Sequence, residues 1–267
     1  MCETIFSYDQ ETYLCFYQEA AKLMEGLDKK IKEFIKDLKY EEVYIPSLIK
    51  GDILEKCGYF ESFPQNLSVV CSLKKCGREK INRKEIGCEN INIHDYYLTP
   101  AACIHIYPML EKRRGTDICY TTRESVYRYE NGEFKNPERL WQFTVREFVF
   151  VGTEEYVCKM LQVMEEKALE FARSLFGKAV VKNAYDEFYP SAENRMKIKL
   201  QLANKLKREL IVGLDNRNIA LSSFNYHRNH FSKPFHFDDG GKIVTGCVGF
   251  GLERWVLCCL EHNIDII

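Results

Sequence analysis

Apolar residues recur at Leu23, Leu27, Ile31, Phe34, Ile35 and Leu38 with Lys and Asp between them, the three-and-four spacing of one helix face. That spacing predicts an amphipathic helix within residues 14–38. It runs into YEEVYIPSLI, where β-branched residues precede Pro46. Proline lacks the N–H a ladder needs, so this strand belongs at an edge, an end or an interface, and a self-pairing surface is expected here. From Ser68 to Glu89 the chain is basic, Gly-punctuated and irregular, which predicts a loop, and DYYLTPAACIHIYPML after it reads as a buried helix around Pro100 and Cys103. A second amphipathic helix is expected from about Thr153 to Phe176, with Val157, Met160, Leu161, Met164, Ala168, Phe171 and Leu175 on one face. The last third reads as mixed strand and loop, then GKIVTGCVGFGLERWVLCCL, a Gly-interrupted strand passing into a final helix. This order suggests an α+β domain on a largely antiparallel sheet, read as one domain over 1–267.

One stretch breaks the pattern. VYRYENGEFKNPERLWQFTVREFVFVG, Val126 to Gly152, reads as two core strands yet carries Arg128, Glu130, Arg139, Arg146 and Glu147. Successive strand side chains alternate faces, so Arg128 and Glu130 share one face of the first strand, and Phe143, Val145 and Glu147 share one face of the second. The hairpin aims guanidinium groups, carboxylates and a phenyl ring at one region. Arg–Glu pairing across a solvated face would produce the same composition, so alternation alone leaves both readings open.

Composition narrows the partners. The chain is 46% hydrophobic, enough to bury a substantial core, and its net charge of −1 argues against a nucleic-acid coat or membrane surface. Twelve scattered cysteines form no disulfide framework, and the start, MCETIFSYDQETY, has no basic region followed by an apolar run. A reduced, cytoplasmic protein is expected. The most apolar window, Val244 to Leu260, is too short for a bilayer and is broken by Glu253 and Arg254. Neither a P-loop nor a Gly-x-Gly-x-x-Gly pattern occurs.

Arg-x-Glu, a loop, then Arg-x-x-x-Phe resembles motif 2 of the class II aminoacyl-tRNA synthetases, whose catalytic core has a mostly antiparallel sheet flanked by helices. The resemblance implies that Arg128 holds the α-phosphate of ATP, Glu130 reads the adenine amino group or orients the substrate, Arg139 reaches the γ-phosphate and Phe143 stacks on adenine. Guanidinium forks suit phosphate oxygens and an aromatic face suits a base. GCVGFGLERW resembles motif 3, with Cys247, Gly249 and Gly251 on one strand face and Arg254 in the first turn of a helix, where it would pack on adenine and contact the terminal phosphate. KYEEVYIP resembles motif 1, which implies that Pro46 lies at a homodimer interface.

GYFESFPQNL, LTPAACIHIYP, REFVFVGTEE, SSFNYHRNHF and TGCVGFGLERW are similar to the amino acid:[carrier protein] ligases, relatives of the atypical zinc-dependent seryl-tRNA synthetases that lack the tRNA-binding domain. The resemblance spans roughly residues 15–265. It implies adenylation of a small amino acid (Gly, Ala or Ser-like) by ATP with Mg2+, then transfer to the phosphopantetheine thiol of a carrier protein, with no tRNA partner. It also implies a zinc ion held by Cys103, Glu147 and Cys247. Cys2Glu is a three-ligand set with one open position, the pattern of catalytic rather than structural zinc. Ser223 and Asn225 alternate with His227 on one strand face, and the family likeness gives Ser223 and Asn225 to the Mg2+–ATP region, with Glu209 as another magnesium candidate and Asp186 as a substrate contact. His227 and His230 are expected to be structural. A competing metal reading uses Cys71, Cys76 and Cys88. Lys112, Arg113 and Arg114, and Lys205, Lys207 and Arg208, offer basic docking surfaces for an acidic carrier protein. Two other functions remain open at this stage: a tRNA-charging core served by a tRNA-binding module on another chain, and a non-catalytic amino-acid sensor.

Overall fold

The computed structural model describes residues 5–6, 14–75, 86–112, 117–129, 138–214 and 217–265. A two-residue ribbon pairs β1 (Ile5–Phe6) with β2 (Cys15–Phe16) and leads into α1 (Gln18–Lys32), which buries Leu23, Leu27 and Ile31 as their spacing requires. A 3-10 turn over Glu33–Ile35 ends this helix before residue 38. The strands β3 (Tyr40–Glu42) and β4 (Leu48–Lys50) flank Pro46, and the short helices α2 (Gly51–Lys56) and α3 (Tyr59–Ser62) follow.

The next segment departs from expectation. The stretch read as loop contains β5 (Val69–Leu73), and Asp95–Leu98 closes a strand, β6 (Ile91–Leu98), rather than opening a helix. β6 lies between β4 and β5 in a three-stranded sheet, so its aromatic and β-branched residues find cross-strand partners that a single helix cannot supply. Of the expected buried helix there remain a 3-10 turn over Cys103–His105 and one turn of α4 (Tyr107–Leu110), with Pro108 in its first turn.

Then come β7 (Ile118–Tyr127), β8 (Gln142–Gly152), α5 (Glu154–Phe176), β9 (Ala179–Ala184), α6 (Ala192–Ala203), β10 (Lys207–Leu214), β11 (Arg217–Arg228), β12 (Val244–Gly251) and α7 (Leu252–Glu261). Thr153 caps α5 by accepting from the Tyr156 N–H, Glu154 and Glu155 sit at its positive end, and Gly177 ends it at φ +71°. α6 was not foreseen, since Met196, Leu200 and Leu202 leave much of its apolar surface exposed and no single stripe marks it.

Seven strands form the main sheet in the order β3-β7-β8-β12-β11-β10-β9, antiparallel throughout except for β3 against β7. The back face carries Phe148, Phe150, Leu210, Val212, Phe224, Val248 and Phe250 against α1, α5 and α7. Each such fully buried side chain contributes about 1.5–3 kcal/mol. Trp255 of α7 is anchored there, stacked on Phe171 at 5.5 Å with its indole N–H donating to the Leu221 carbonyl at 3.1 Å.

Arg146 also points to the back. Its guanidinium grips Asp28 of α1 through two bonds of 2.6 and 2.8 Å, with a side chain only 4% exposed, and also reaches Thr121 and Glu42. Its cross-strand partner Arg123 holds Glu25 at 2.7 and 2.8 Å. Two facing cations on the sheet are thus matched by two carboxylates on one helix. Among the described residues, no helix is long and apolar enough to cross a membrane.

Candidate active site

The front face is organised by register. One row runs Thr122, Glu147, Gly249, Ser223, Glu209 across five strands, and the next runs Tyr120, Val149, Cys247, Asn225, Lys207. Directly opposed residues share a face, so Glu147 and Cys247 are diagonal neighbours on β8 and β12. Cys103 arrives from the 3-10 turn, whose geometry is fixed where the Cys103 backbone N–H donates to Glu147 Oε2 at 2.9 Å. One ligand atom from each of Cys103, Glu147 and Cys247 lies within 4.8 Å of the others, and all three residues are buried.

This crowding has an electrostatic signature. Burial raises the Glu147 carboxyl above its usual range, despite hydrogen bonds from both cysteines and the charge of Arg128. A hydrogen bond with Cys103, together with burial, raises the Cys247 thiol well above normal. For Cys103 the hydrogen bond with Cys247 pulls downward, but burial and Glu147 outweigh it, so this thiol is also raised. Three acidic groups this close cannot all ionise in a desolvated site unless a cation joins them. Two sulfurs and one carboxylate fit a divalent ion with sulfur affinity and leave a position for substrate. The residues present therefore fit zinc.

Gly249 lies in the row between Glu147 and Ser223, and a Cβ there would meet Ser223 Oγ and Val145 Cγ2 at 3.6 Å, ordinary contact. The sheet tolerates a methyl group at this point, so the glycine serves the space in front of it. The contrast is Gly246, where a Cβ would press on Val157 and Leu161 of α5 at 2.9 Å. That glycine serves helix packing.

Arg128 falls just past the end of β7 rather than within it. Its Nε donates to the Pro100 carbonyl at 3.0 Å, its guanidinium lies 5.3 Å from the Phe143 ring centre, and its charge is felt by Glu147, Asp186 and Lys207. Arg139 pairs with Glu187 at 2.8 Å, while Arg254 donates to the carbonyls of Glu138 at 2.8 Å and Ala220 at 3.0 Å. Arg254 is thus tied to the residue that precedes Arg139 in the chain. Glu130, Arg113 and Arg114 lie outside the described residues, as does Cys76. Cys71 and Cys88 are exposed and, among the described residues, join no group with metal-site geometry.

Asn225 donates to Ser223 Oγ at 3.3 Å and to Cys247 Sγ at 3.5 Å, which puts this pair against the sulfur cluster. The basic run Lys205, Lys207, Arg208 is not one docking patch. Lys207 and Arg208 point to opposite faces of β10: Arg208 pairs with Glu165 at 2.8 Å behind the sheet, and Lys207, 14% exposed, is held between Asp186 at 2.7 Å and Glu209 at 3.3 Å in front. Gln201 completes the group by donating to Asp186 at 2.7 Å. Lys207 counters the burial of Asp186 and holds its carboxyl below the usual range. Gln201 escaped the sequence reading and Lys207 entered it only as docking charge, although the two-residue step from Lys207 to Glu209 is the alternation that could have revealed its place on this face.

His227, expected to be structural, also faces Cys247: Nε2 lies 3.5 Å from its sulfur and Nδ1 lies 3.1 Å from Thr245 Oγ1. Desolvation among the surrounding aromatic rings pulls its pKa down to about 3, so it is neutral at physiological pH.

Comparison with known proteins follows from this geometry. Residues 87–263 match the family model for the tRNA synthetase class II core domain (G, H, P, S and T). The chain is 31% identical over 240 residues to amino acid–[acyl-carrier-protein] ligase 1 of Bradyrhizobium diazoefficiens, covering 85% of this chain and 73% of that protein. The chain belongs to the class II synthetase-like amino acid–[acyl-carrier-protein] ligase family. This ligase-family core is also 27% identical to the type-2 serine–tRNA ligase of Methanocaldococcus jannaschii, over 85% of the chain but 48% of that enzyme. In three dimensions it resembles M. kandleri SerRS, solved with A. aeolicus tRNASec, at a TM-score of 0.82 and 23% identity, covering 97% of this chain and 55% of that one. Prolyl-tRNA synthetase from Cryptosporidium parvum, complexed with halofuginone and AMPPNP, follows at 0.71 and 13% identity, with 50% of its chain covered. The ligase-family core thus spans about half the length of these synthetases, and the structural likenesses show its fold.

Proposed function

We propose that this protein adenylates a small amino acid with Mg2+–ATP and passes it to the phosphopantetheine thiol of a carrier protein, as a single-domain subunit of a cytoplasmic homodimer. The observation that carries this reading is the buried Cys103, Glu147, Cys247 cluster on the same sheet face as Phe143, within reach of the Arg128 charge. In a chain of this family, that arrangement supports an amino-acid end lying beside a nucleotide end.

Cys103, Glu147 and Cys247 would hold the zinc ion, which would supply a Lewis acid that favours a neutral substrate amino group. The chain's own residues do the rest. Gly249 leaves room for a small side chain, and Asp186, fixed by Lys207 and Gln201, closes the pocket edge. Ser223 and Asn225 bridge from the sulfur cluster toward the nucleotide, and Glu209, opposite Ser223, is the carboxylate this face offers to Mg2+. Phe143 stacks on adenine, Arg128 engages the α-phosphate with Glu130 beside the substrate, and Arg139 and Arg254 receive the terminal phosphates.

The amino-acid carboxylate attacks the α-phosphorus in line. A P–O bond forms as the bond to pyrophosphate breaks, and Arg128, Arg139 and Arg254 stabilise the charge that develops, to which Mg2+ would add when bound, so no protein nucleophile is required. The carrier thiol then attacks the adenylate carbonyl, forming the thioester and releasing AMP.

The test is amino-acid-dependent ATP–pyrophosphate exchange over the twenty amino acids and β-alanine, with and without zinc chelation, followed by transfer to a phosphopantetheinylated carrier or to tRNA. Exchange limited to one or two small amino acids, lost on chelation and followed by carrier loading, is expected. Transfer to tRNA alone would move the assignment to a synthetase core. No exchange by folded, zinc-loaded protein would overturn autonomous amino-acid activation and put the sensor reading first.

A further inference from the structure

Each sulfur of the proposed zinc cluster meets one polar group that belongs to neither the nucleotide end nor the amino-acid end. Tyr107 shares one buried cluster with Cys103 and its hydroxyl interacts with that thiol, while the His227 imidazole presents Nε2 to Cys247 at 3.5 Å. The two groups also meet each other, with the Tyr107 hydroxyl 3.4 Å from His227 Nδ1, and Thr245 Oγ1 lies 3.1 Å from the same nitrogen. Thr245 is fully buried, and with its hydroxyl donating to Nδ1 the imidazole is the tautomer that carries a hydrogen on Nε2. That hydrogen points at Cys247.

The rings are held by packing from beyond the site. Tyr107 is fully buried and stacks on Phe231 at 4.1 Å, and Phe231 meets the His227 ring edge-on at 4.9 Å. Phe235 and Phe237 extend the same cluster around Tyr107. An apolar wall alone would be served by Phe at position 107 and by an aliphatic residue at 227. Two polar groups have instead been placed against two sulfurs, and hydrogen bonds to ligand atoms orient a metal site and tune its affinity.

We propose that Tyr107 and His227, the latter oriented by Thr245, are positioning residues that fix the Cys103 and Cys247 sulfurs for the metal through one hydrogen bond each. The inference rests on the zinc-pocket reading above. It assigns to the segment from His227 to Phe237 a role in metal retention, separate from any contact with ATP or amino acid.

Metal binding provides the test. Purified protein stripped of metal is titrated with zinc against a competing chelator, and with cobalt while the sulfur-to-cobalt absorption band is recorded. Tyr107→Phe keeps the stack and removes only the hydroxyl, His227→Phe removes the ring donor, and His227→Gln returns an N–H near the position of Nε2. Tyr107→Phe and His227→Phe are each expected to weaken zinc retention about 10- to 100-fold and displace the cobalt band, with His227→Gln recovering part of the loss. Thermal unfolding of the metal-free proteins identifies any variant that fails to fold; if His227→Phe does, Tyr107→Phe and His227→Gln decide the matter. Unchanged affinity and an unchanged band in the folded variants, while Cys247→Ser loses the metal, would overturn the positioning role and leave the zinc pocket standing. Zinc binding that survives Cys247→Ser unchanged would overturn the pocket itself, and the inference with it.

Discussion

Arg146 and Glu147 are neighbours in the chain, yet the pleat turns them to opposite faces of the sheet. Behind it, Arg146 meets Asp28 through two short bonds, and Glu25, Glu42, Lys32 and Arg123 surround the pair in complementary signs. In front, Glu147 meets two buried thiols and a backbone N–H, a cluster whose three ligand atoms lie close enough together to hold a metal ion. A buried charge that finds its partner within the fold ties elements together. One whose partner set is left incomplete marks a place for a ligand. The two faces therefore separate stability from chemistry, and substitutions should separate them too.

The largest effect is expected in front. Arg128→Ala should lower amino-acid-dependent exchange on the order of 10²–10³-fold, as for loss of a single charge-stabilising group, while urea unfolding stays near wild type. A collapse of the unfolding midpoint instead would return Arg128 to a structural role. Behind the sheet, Arg146→Ala leaves Asp28 with the longer Arg123 contact of 3.6 Å and should cost about 3–5 kcal/mol in urea unfolding, whereas replacing both partners by Met and Leu should restore most of that loss. Gly249→Ala should leave the unfolding midpoint unchanged but shift selectivity toward glycine over larger amino acids by about 1–3 kcal/mol in kcat/KM, read by exchange. A uniform loss across amino acids would show that the space before Gly249 is not the side-chain pocket.

The smallest effect concerns Glu253, buried with Oε1 accepting from the Thr144 N–H at 2.7 Å and with Oε2 unsatisfied among the described residues. Burial raises its pKa above the usual carboxylate range. The folded state thus binds a proton more tightly than the unfolded one, and wild type loses stability as pH rises through the unfolded value toward the folded one. Glu253→Gln should escape that loss, gaining about 1 kcal/mol at neutral pH and nothing once pH falls below the unfolded carboxylate range. A series of melting temperatures against pH checks the sign.

What could be read from the sequence was what repeats locally. α1 and α5 were legible because their apolar residues keep a 3.6-residue period, and the shared face of Phe143, Val145 and Glu147 was legible because strands alternate. Cys103 and Cys247 were singled out by motif context alone, since nothing in their immediate neighbours distinguishes a ligand from a small buried side chain. β6 was misread because its aromatic residues suit either element until β4 and β5 close on both sides. His227 and Tyr107 meet across a separation of 120 residues, and Lys207 looked like surface charge because its partner Asp186 is delivered by a separate segment. Contacts of that range leave no local trace.

The position of β12 has a consequence for how this molecule is made. It is the last strand in sequence among the described residues, yet it lies in the middle of the sheet, between β8 and β11. During synthesis, β7–β8 and β9–β10–β11 emerge as two partial sheets, each presenting an open edge that only β12 can cover. Non-local pairing of this kind slows folding, and unpaired edges invite association with other chains. The nascent protein therefore passes through a stage when the two halves of the sheet are synthesised but unjoined, and Cys247 enters the cluster with the same strand that joins them.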